Sequence, residues 1–335
     1  MPPHTRRVVL AGMLPALAAG LGAAGPPATA AADRPRWLSG AGDPQAAHVA
    51  GGDFGRWRGD HTSFARIWAD ESLPTMAGVW MLDGYRAAGW TGTLDIACGG
   101  PRDGQTWSSA AAGGMDATWR ATCRSVRAHW GNLRAVHLSM AHELNGSWYP
   151  WAVTRKNVTS FRNAWRRWYG IVATELVAEG KNALVCLSLN ADTLSDVSVA
   201  ELWPGPAYVD VLGCDFYSAW PDLTTEAEWD SHRHDTTADG SPRGIEAWFG
   251  YARSIGKPLS FPEWGLNPNL VSDNPLFVQK MRNTFAAHAG SDPHRPGPGQ
   301  VAGEAYFNDR AQGRLWPSTL APRAAARYQS LRWGI

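Results

Sequence analysis

Two glutamates stand close behind apolar runs of strand length. One ends the run Ala135-Val136-His137-Leu138-Ser139-Met140-Ala141-His142-Glu143 and is followed by Leu144-Asn145-Gly146-Ser147-Trp148-Tyr149-Pro150-Trp151. The other lies in Lys257-Pro258-Leu259-Ser260-Phe261-Pro262-Glu263-Trp264-Gly265. A carboxylate in such a place costs desolvation energy unless it is partnered. Either one alone is equally well a satisfied structural group. Two that face each other can act as acid and nucleophile on a glycosidic bond. The neighbouring Trp148, Trp151 and Trp264 offer flat apolar faces of the kind that stack on sugar rings.

Bringing two distant strand ends together is the work of the elements around them. Strand-length apolar runs occur at Trp37–Ala41, Phe64–Ala69, Thr93–Cys98, Ala135–Ala141, Ala183–Leu189, Val209–Tyr217, Pro258–Phe261 and Glu304–Phe307. Helical spacing separates several of them. Val158, Phe161, Trp165, Trp168, Val172 and Leu176 step by three and four, with Asn157 as N-cap and Gly180 as stop. Ile245, Trp248, Phe249 and Ala252 mark a second helix, and Phe277, Met281 and Phe285 a third. Eight strands alternating with helices predict an α/β fold, a single (β/α)8 TIM barrel, whose active site would lie at the C-terminal strand ends. A doubly wound open sheet is the alternative, but no G-x-G-x-x-G or P-loop opens a helix.

Composition narrows the function. The 335 residues carry Lys+Arg 31 against Asp+Glu 30, without the basic excess of a nucleic-acid binder. Nineteen tryptophans exceed what one core needs and suggest aromatic platforms for a ligand. Residues 1–30 read as a signal peptide, with Arg6 and Arg7, an apolar stretch and Ala28-Thr29-Ala30 as cleavage site. Thr5-Arg6-Arg7-Val8-Val9-Leu10 resembles the twin-arginine export motif. Pro15, Gly20, Gly22 and Pro26 interrupt the stretch and argue against a membrane anchor. Residues 31–335 form the predicted catalytic domain, expected to be secreted, monomeric and free of membrane and nucleic acid.

Cys98, Cys123, Cys186 and Cys214 have no zinc-site spacing, and buried free thiols are the plainer reading. If one bridge forms, Cys98–Cys123 is the pair, joining a strand end to the next helix. His232, His234, Asp235 and Asp239 read as a solvated loop, so no metal and no cofactor is expected. Asp53, Trp57, Asp60 and His61 follow the first strand and suit the cleft or loop packing equally. No G-x-S-x-G is present, against a serine esterase of the α/β-hydrolase type.

The segment His142-Glu143-Leu144-Asn145-Gly146-Ser147-Trp148 resembles the acid/base motif of glycoside hydrolase family 26, the β-mannanase family of clan A. That family has His before the glutamate, as His142 stands here, and a tryptophan five residues after it, matched by Trp148. Trp203-Pro204-Gly205-Pro206-Ala207-Tyr208-Val209-Asp210-Val211-Leu212-Gly213-Cys214-Asp215-Phe216-Tyr217 resembles its sixth-strand segment, and Pro262-Glu263-Trp264-Gly265 its nucleophile strand. The resemblance spans roughly residues 35 to 333. It implies Glu143 as acid/base, Glu263 as nucleophile, Tyr217 orienting the nucleophile, and His142 in support. It implies Trp148, Trp151, Trp264 and Asp215 as substrate-binding residues. Ser139 stands where mannanases are expected to have arginine, and Tyr306-Phe307-Asn308 lacks the tryptophan that often floors the reacting sugar in clan A. Trp316 is the expected substitute.

A secreted retaining β-glycosidase acting on plant-type or microbial polysaccharide is therefore expected, endo-β-1,4-mannan first. Action on mixed-linkage β-glucan or β-1,3-xylan is the alternative within the family. The alternative from another class is a catalytically inactive sugar-binding barrel, which would have little use for both glutamates and Tyr217 together.

Overall fold

The computed structural model describes residues 36–218, 223–267, 272–309 and 313–334. The segment expected to be a signal peptide, residues 1–30, lies outside them. Eight strands form one closed parallel barrel in sequence order: β1 (Ser39–Gly42), β2 (Phe64–Ala69), β3 (Thr93–Cys98), β4 (Ala135–Met140), β5 (Ala183–Asn190), β6 (Val211–Ser218), β7 (Leu259–Leu266) and β8 (Val301–Phe307). The pairing of Ser39 with Glu304 and of Gly42 with Phe307 closes β8 onto β1. Closure excludes the doubly wound alternative. β3, β4 and β7 are buried along their whole lengths. Strands covered on both faces are mostly apolar, which is why they read as near-continuous runs.

The expected helices surround the barrel. Val158–Val172 buries Phe161, Trp165, Trp168 and Val172, then closes in one π turn over Ala173–Val177. Asn157 precedes this helix without capping it, because its Oδ1 accepts from the Thr154 amide at 2.8 Å. The other two helices run over Ile245–Ser254 and Pro275–Ala287.

β7 departs most from expectation. The apolar run ends at Phe261, yet the strand continues to Leu266. Gly213 pairs with Ser260 and Phe216 with Trp264, so β7 has one residue more than β6 over that stretch. Phe261 pairs with Glu304 and Trp264 with Tyr306, so it also has one more than β8. The extra residue falls at Pro262-Glu263. Proline has no amide to give to a sheet and is tolerated at a bulge, and a bulge re-aims the adjacent side chain.

All four cysteines are free and buried, so the Cys98–Cys123 bridge is not formed. Burial, with Glu175 beside it, pushes the Cys123 thiol up to about 12, and burial followed by Cys123 pushes Cys98 up as well. These are inert core thiols. The residues after β1 pack at the chain's end rather than at the strand mouths. Trp57 stacks on Tyr328 at 5.8 Å, and Asp60 accepts from the Trp333 amide at 2.7 Å.

Candidate active site

The chain leaves β4 through two residues in left-handed backbone, Ala141 (φ 52°) and Glu143 (φ 51°). Each such residue costs about 1–3 kcal/mol and persists only when its surroundings fix it. Here the Ala141 amide donates to the Cys98 carbonyl at 2.7 Å and the Glu143 amide to the Ser188 carbonyl at 3.0 Å. The turn is thus pinned to β3 on one side and β5 on the other. Asn145 tightens it, donating to the Asn190 carbonyl at 2.8 Å and accepting from the Asn190 amide at 2.8 Å.

Held in this turn, Glu143 receives two neutral donors. Asn190 Nδ2 reaches Oε1 at 2.7 Å and Trp148 Nε1 reaches Oε2 at 2.9 Å. Burial first, and then the charge of Glu263, push the Glu143 carboxyl up to about 7 against the pull of those two bonds. A carboxyl in that range can hold a proton near neutrality and release it in reaction.

The bulge in β7 presents Glu263 to a different set of partners. Arg66 Nε donates to Oε1 at 3.2 Å, Trp68 Nε1 to the same oxygen at 2.8 Å, and Tyr217 Oη to Oε2 at 3.1 Å. Three donors, one of them cationic, fix the orientation of the carboxylate. Arg66 is fully buried between Asp95, to which it donates, and Asp215, whose Oδ2 lies 4.0 Å from Nη2. Ser139, the position where arginine was expected, hydrogen-bonds Asp95 at 2.9 Å. The cation at Glu263 therefore comes from β2, although the β4 position holds a serine.

Both glutamates line one cleft of about 1170 Å³ at the C-terminal strand ends, together with Trp68, Asp70, Trp148, Tyr149, Asn190, Tyr217 and Phe307. Trp148 is 47% exposed and forms a wall of it, as expected. Four other assignments are corrected. Trp264 is fully buried behind the barrel wall, stacked on Trp333 and donating to Glu304 at 2.5 Å. It follows Glu263 in a strand, and neighbours in a strand face opposite ways. Trp151 is buried beneath the turn, donating to the His142 carbonyl at 2.9 Å and stacked on Tyr149. Asp215 is buried below the cleft, accepts from Ser188 at 3.3 Å, and is held well above the carboxylate range by burial and Glu263. Trp316 packs edge-on against His48 at 4.9 Å, and Phe307 occupies the strand end that Trp316 was expected to cover.

His142 acts at one remove. Its Nε2 lies 3.0 Å from the Tyr149 hydroxyl, and Tyr149 lines the cleft. Burial and Arg66 hold the imidazole well below its ordinary range. Arg66, Trp68, Asp70 and Asn190 were missed in the sequence. The signal for the first three was available, since Arg66, Trp68 and Asp70 alternate at the end of an apolar strand and so share one face. Among the described residues no group of three His, Cys, Asp or Glu side chains is placed to hold a metal ion, and no helix is long and apolar enough to cross a membrane.

Residues 135–232 match the model of "Glycosyl hydrolase family 26". Among solved structures, a modular endo-β-1,4-mannanase from Cellulomonas fimi superposes with a TM-score of 0.56 at 16% identity, covering 88% of this chain and 70% of its own. The catalytic domain of a Bacillus sp. JAMB-750 endo-β-1,4-mannanase gives 0.56 at 14% identity, over 88% and 86%. A β-mannanase from Bacteroides ovatus gives 0.52 at 15%, over 89% and 88%. At these identities the structural likeness speaks for the barrel. No curated protein sequence matches the chain.

Proposed function

We propose that the chain is a member of glycosyl hydrolase family 26, whose model matches residues 135–232, and that it is a secreted, retaining endo-β-1,4-mannanase. The observation that carries the mechanism is that two equally buried carboxyls share one cleft in opposite electrostatic settings. Environments that push two carboxyls apart assign acid and nucleophile.

In the first step Glu263 Oε attacks the anomeric carbon while the bond to the leaving glycosidic oxygen breaks. Glu143 gives its proton to that oxygen. In the second step water attacks the same carbon, Glu143 takes the water's proton, and the ester to Glu263 breaks. The product keeps the β configuration, and both carboxyls return to their starting states. Tyr217 and Arg66 hold the attacking carboxylate in place. His142 steadies Tyr149 at the cleft wall.

Mannan is supported by the motif around Glu143 and by the mannanase fold likeness. Ser139 and Phe307 favour the alternative that the substrate is a mixed-linkage β-glucan or β-1,3-xylan, since both depart from the expected mannanase residues. Purified protein assayed on mannan, glucomannan, lichenan and β-1,3-xylan decides among them. Product from lichenan or β-1,3-xylan and none from any mannan would move the substrate. Inactivity on all four would favour an inert binding barrel. Azide should rescue the Glu143→Ala enzyme on an activated aryl glycoside to give a β-glycosyl azide, and any rescue of Glu263→Ala should give the α-azide. Inversion by the wild-type enzyme would exclude the mechanism. Export rests on Arg6 and Arg7, and replacing both with lysine should retain precursor in the cytoplasm. Undiminished secretion of that variant would exclude the twin-arginine route.

A further inference from the structure

β2 and the residue that follows it place three side chains in alternation: Arg66 deep in the barrel, Trp68 at its mouth and Asp70 at the rim. The Trp68 indole lies 2.8 Å from the Glu263 carboxylate and is part of the cleft surface. A sugar poised for attack must bring its anomeric carbon to within about 3–3.5 Å of that carboxylate. Its ring then has to lie beside the indole. Phe307 stands edge-on to Trp68, centroids 5.1 Å apart and planes at 83°, and edge-on to Tyr217 at 6.1 Å. Trp68 and Phe307 thus make an aromatic corner next to the reacting position.

Asp70 borders the same space. Its side chain is 16% exposed, and the nearest basic atom, His142 Nε2, is 3.6 Å away and already bonded to Tyr149. Among the described residues no side chain donates a hydrogen bond to the Asp70 carboxylate, although Arg102 donates to its backbone carbonyl. A mostly buried carboxylate with open acceptor sites is costly until O–H donors fill them. The other acidic groups around the cleft are Glu71, Asp192, Glu143 and Glu263. Arg243 is the one arginine or lysine among the described lining residues, and it donates to Asp192 at 2.6 Å. Such a cleft disfavours an anionic glycan.

We propose that Trp68 and Asp70 bind the reacting sugar, the indole as its floor and the carboxylate as bidentate acceptor for two vicinal hydroxyls of a neutral pyranose. The proposal rests on the hydrolase reading above, and it assigns to β2 the floor that was expected from the eighth strand. Trp68 is also a positioning residue, because its N–H holds Glu263.

Calorimetric binding of mannopentaose, cellopentaose and β-1,3-xylopentaose to the Glu143→Ala protein tests the site without turnover. In that background Asp70→Asn and Trp68→Ala should each weaken the bound glycan by about tenfold or more, the loss expected when a designed polar or stacking contact is removed. Trp68→Phe should keep binding within about threefold while lowering kcat by about tenfold in the otherwise wild-type enzyme, since it keeps a ring and loses the donor to a charged group. Glu263, Arg66, Arg102 and His142 face Asp70 from the surrounding elements. Burial and Glu263 hold its carboxyl up at about 6. Affinity should therefore fall as pH drops through 6, and Asp70→Asn should flatten that dependence. Unchanged affinity in Asp70→Asn and Trp68→Ala, in a protein that binds and cleaves a β-glycan, overturns this proposal and leaves the hydrolase reading standing. Failure of the parent to bind any of the three overturns both.

Discussion

At the end of β4 a carboxyl meets an amide and an indole; at the end of β7 another meets a guanidinium, an indole and a phenol. The two are equally sequestered, Glu143 at 8% exposure and Glu263 at 7%. Burial therefore does not separate them. What separates them is the charge of the partners, neutral donors at Glu143 and a guanidinium at Glu263, and the proposed double displacement rests on that difference. Glu304 sharpens the point. Burial pushes it, too, up to about 7, and Trp37 and Trp264 donate to it, yet it sits inside the barrel wall away from the cleft. A raised carboxyl is a functional signal only where substrate can reach it.

The most direct way to break the contrast is to remove either member. Glu263→Ala and Glu143→Ala should each lower kcat on polysaccharide by roughly 10²–10⁴-fold or more, with the opposite azide anomers described above as the readout that tells them apart. Next in size is Tyr217→Phe. One hydrogen bond to a charged group contributes about 1.5–3 kcal/mol, so kcat should fall by about ten- to a hundredfold while Tm stays at the wild-type value. Full activity in that variant would remove Tyr217 from the site. A smaller change tests the other carboxyl. The Trp148 N–H favours the ionised form of Glu143, so Trp148→Phe should raise that group's pKa further. In the wild type, activity should decline as pH rises through about 7, where the acid loses its proton. In Trp148→Phe that basic limb should lie at higher pH, and an unmoved limb would show that Glu143 does not govern it. Smallest in its effect on turnover is Trp264→Phe. It should leave KM and kcat near wild type and lower stability by about 1–3 kcal/mol, because it orphans a buried acceptor on Glu304. A large rise in KM would return Trp264 to the cleft.

The aromatic assignments show where reading the sequence falters. Trp148, Trp151 and Trp264 all stand near a glutamate along the chain, and one of the three lines the cleft. Trp264 could have been excluded by strand alternation, since it adjoins Glu263. Trp151 could not, because it follows an irregular turn whose two left-handed residues have no sequence signature. The converse error concerns Trp68, which is remote in sequence from both glutamates and touches one of them.

The amino-acid sequence determined the barrel, because parallel strands buried on both faces are near-continuous apolar runs and therefore announce themselves. It also singled out the two glutamates, since a charge at the end of such a run is conspicuous against its surroundings, and the residues from His142 to Trp148 that carry the family resemblance. The tertiary structure alone decided which partners those glutamates meet. Arg66 and Trp68 reach Glu263 only because the sheet closes and the β7 bulge turns the carboxylate inward, and Asn190 reaches Glu143 only because Asn145 ties the turn to β5. Strand formation depends on local pattern, whereas the two glutamates are distinguished by contacts between residues far apart in sequence.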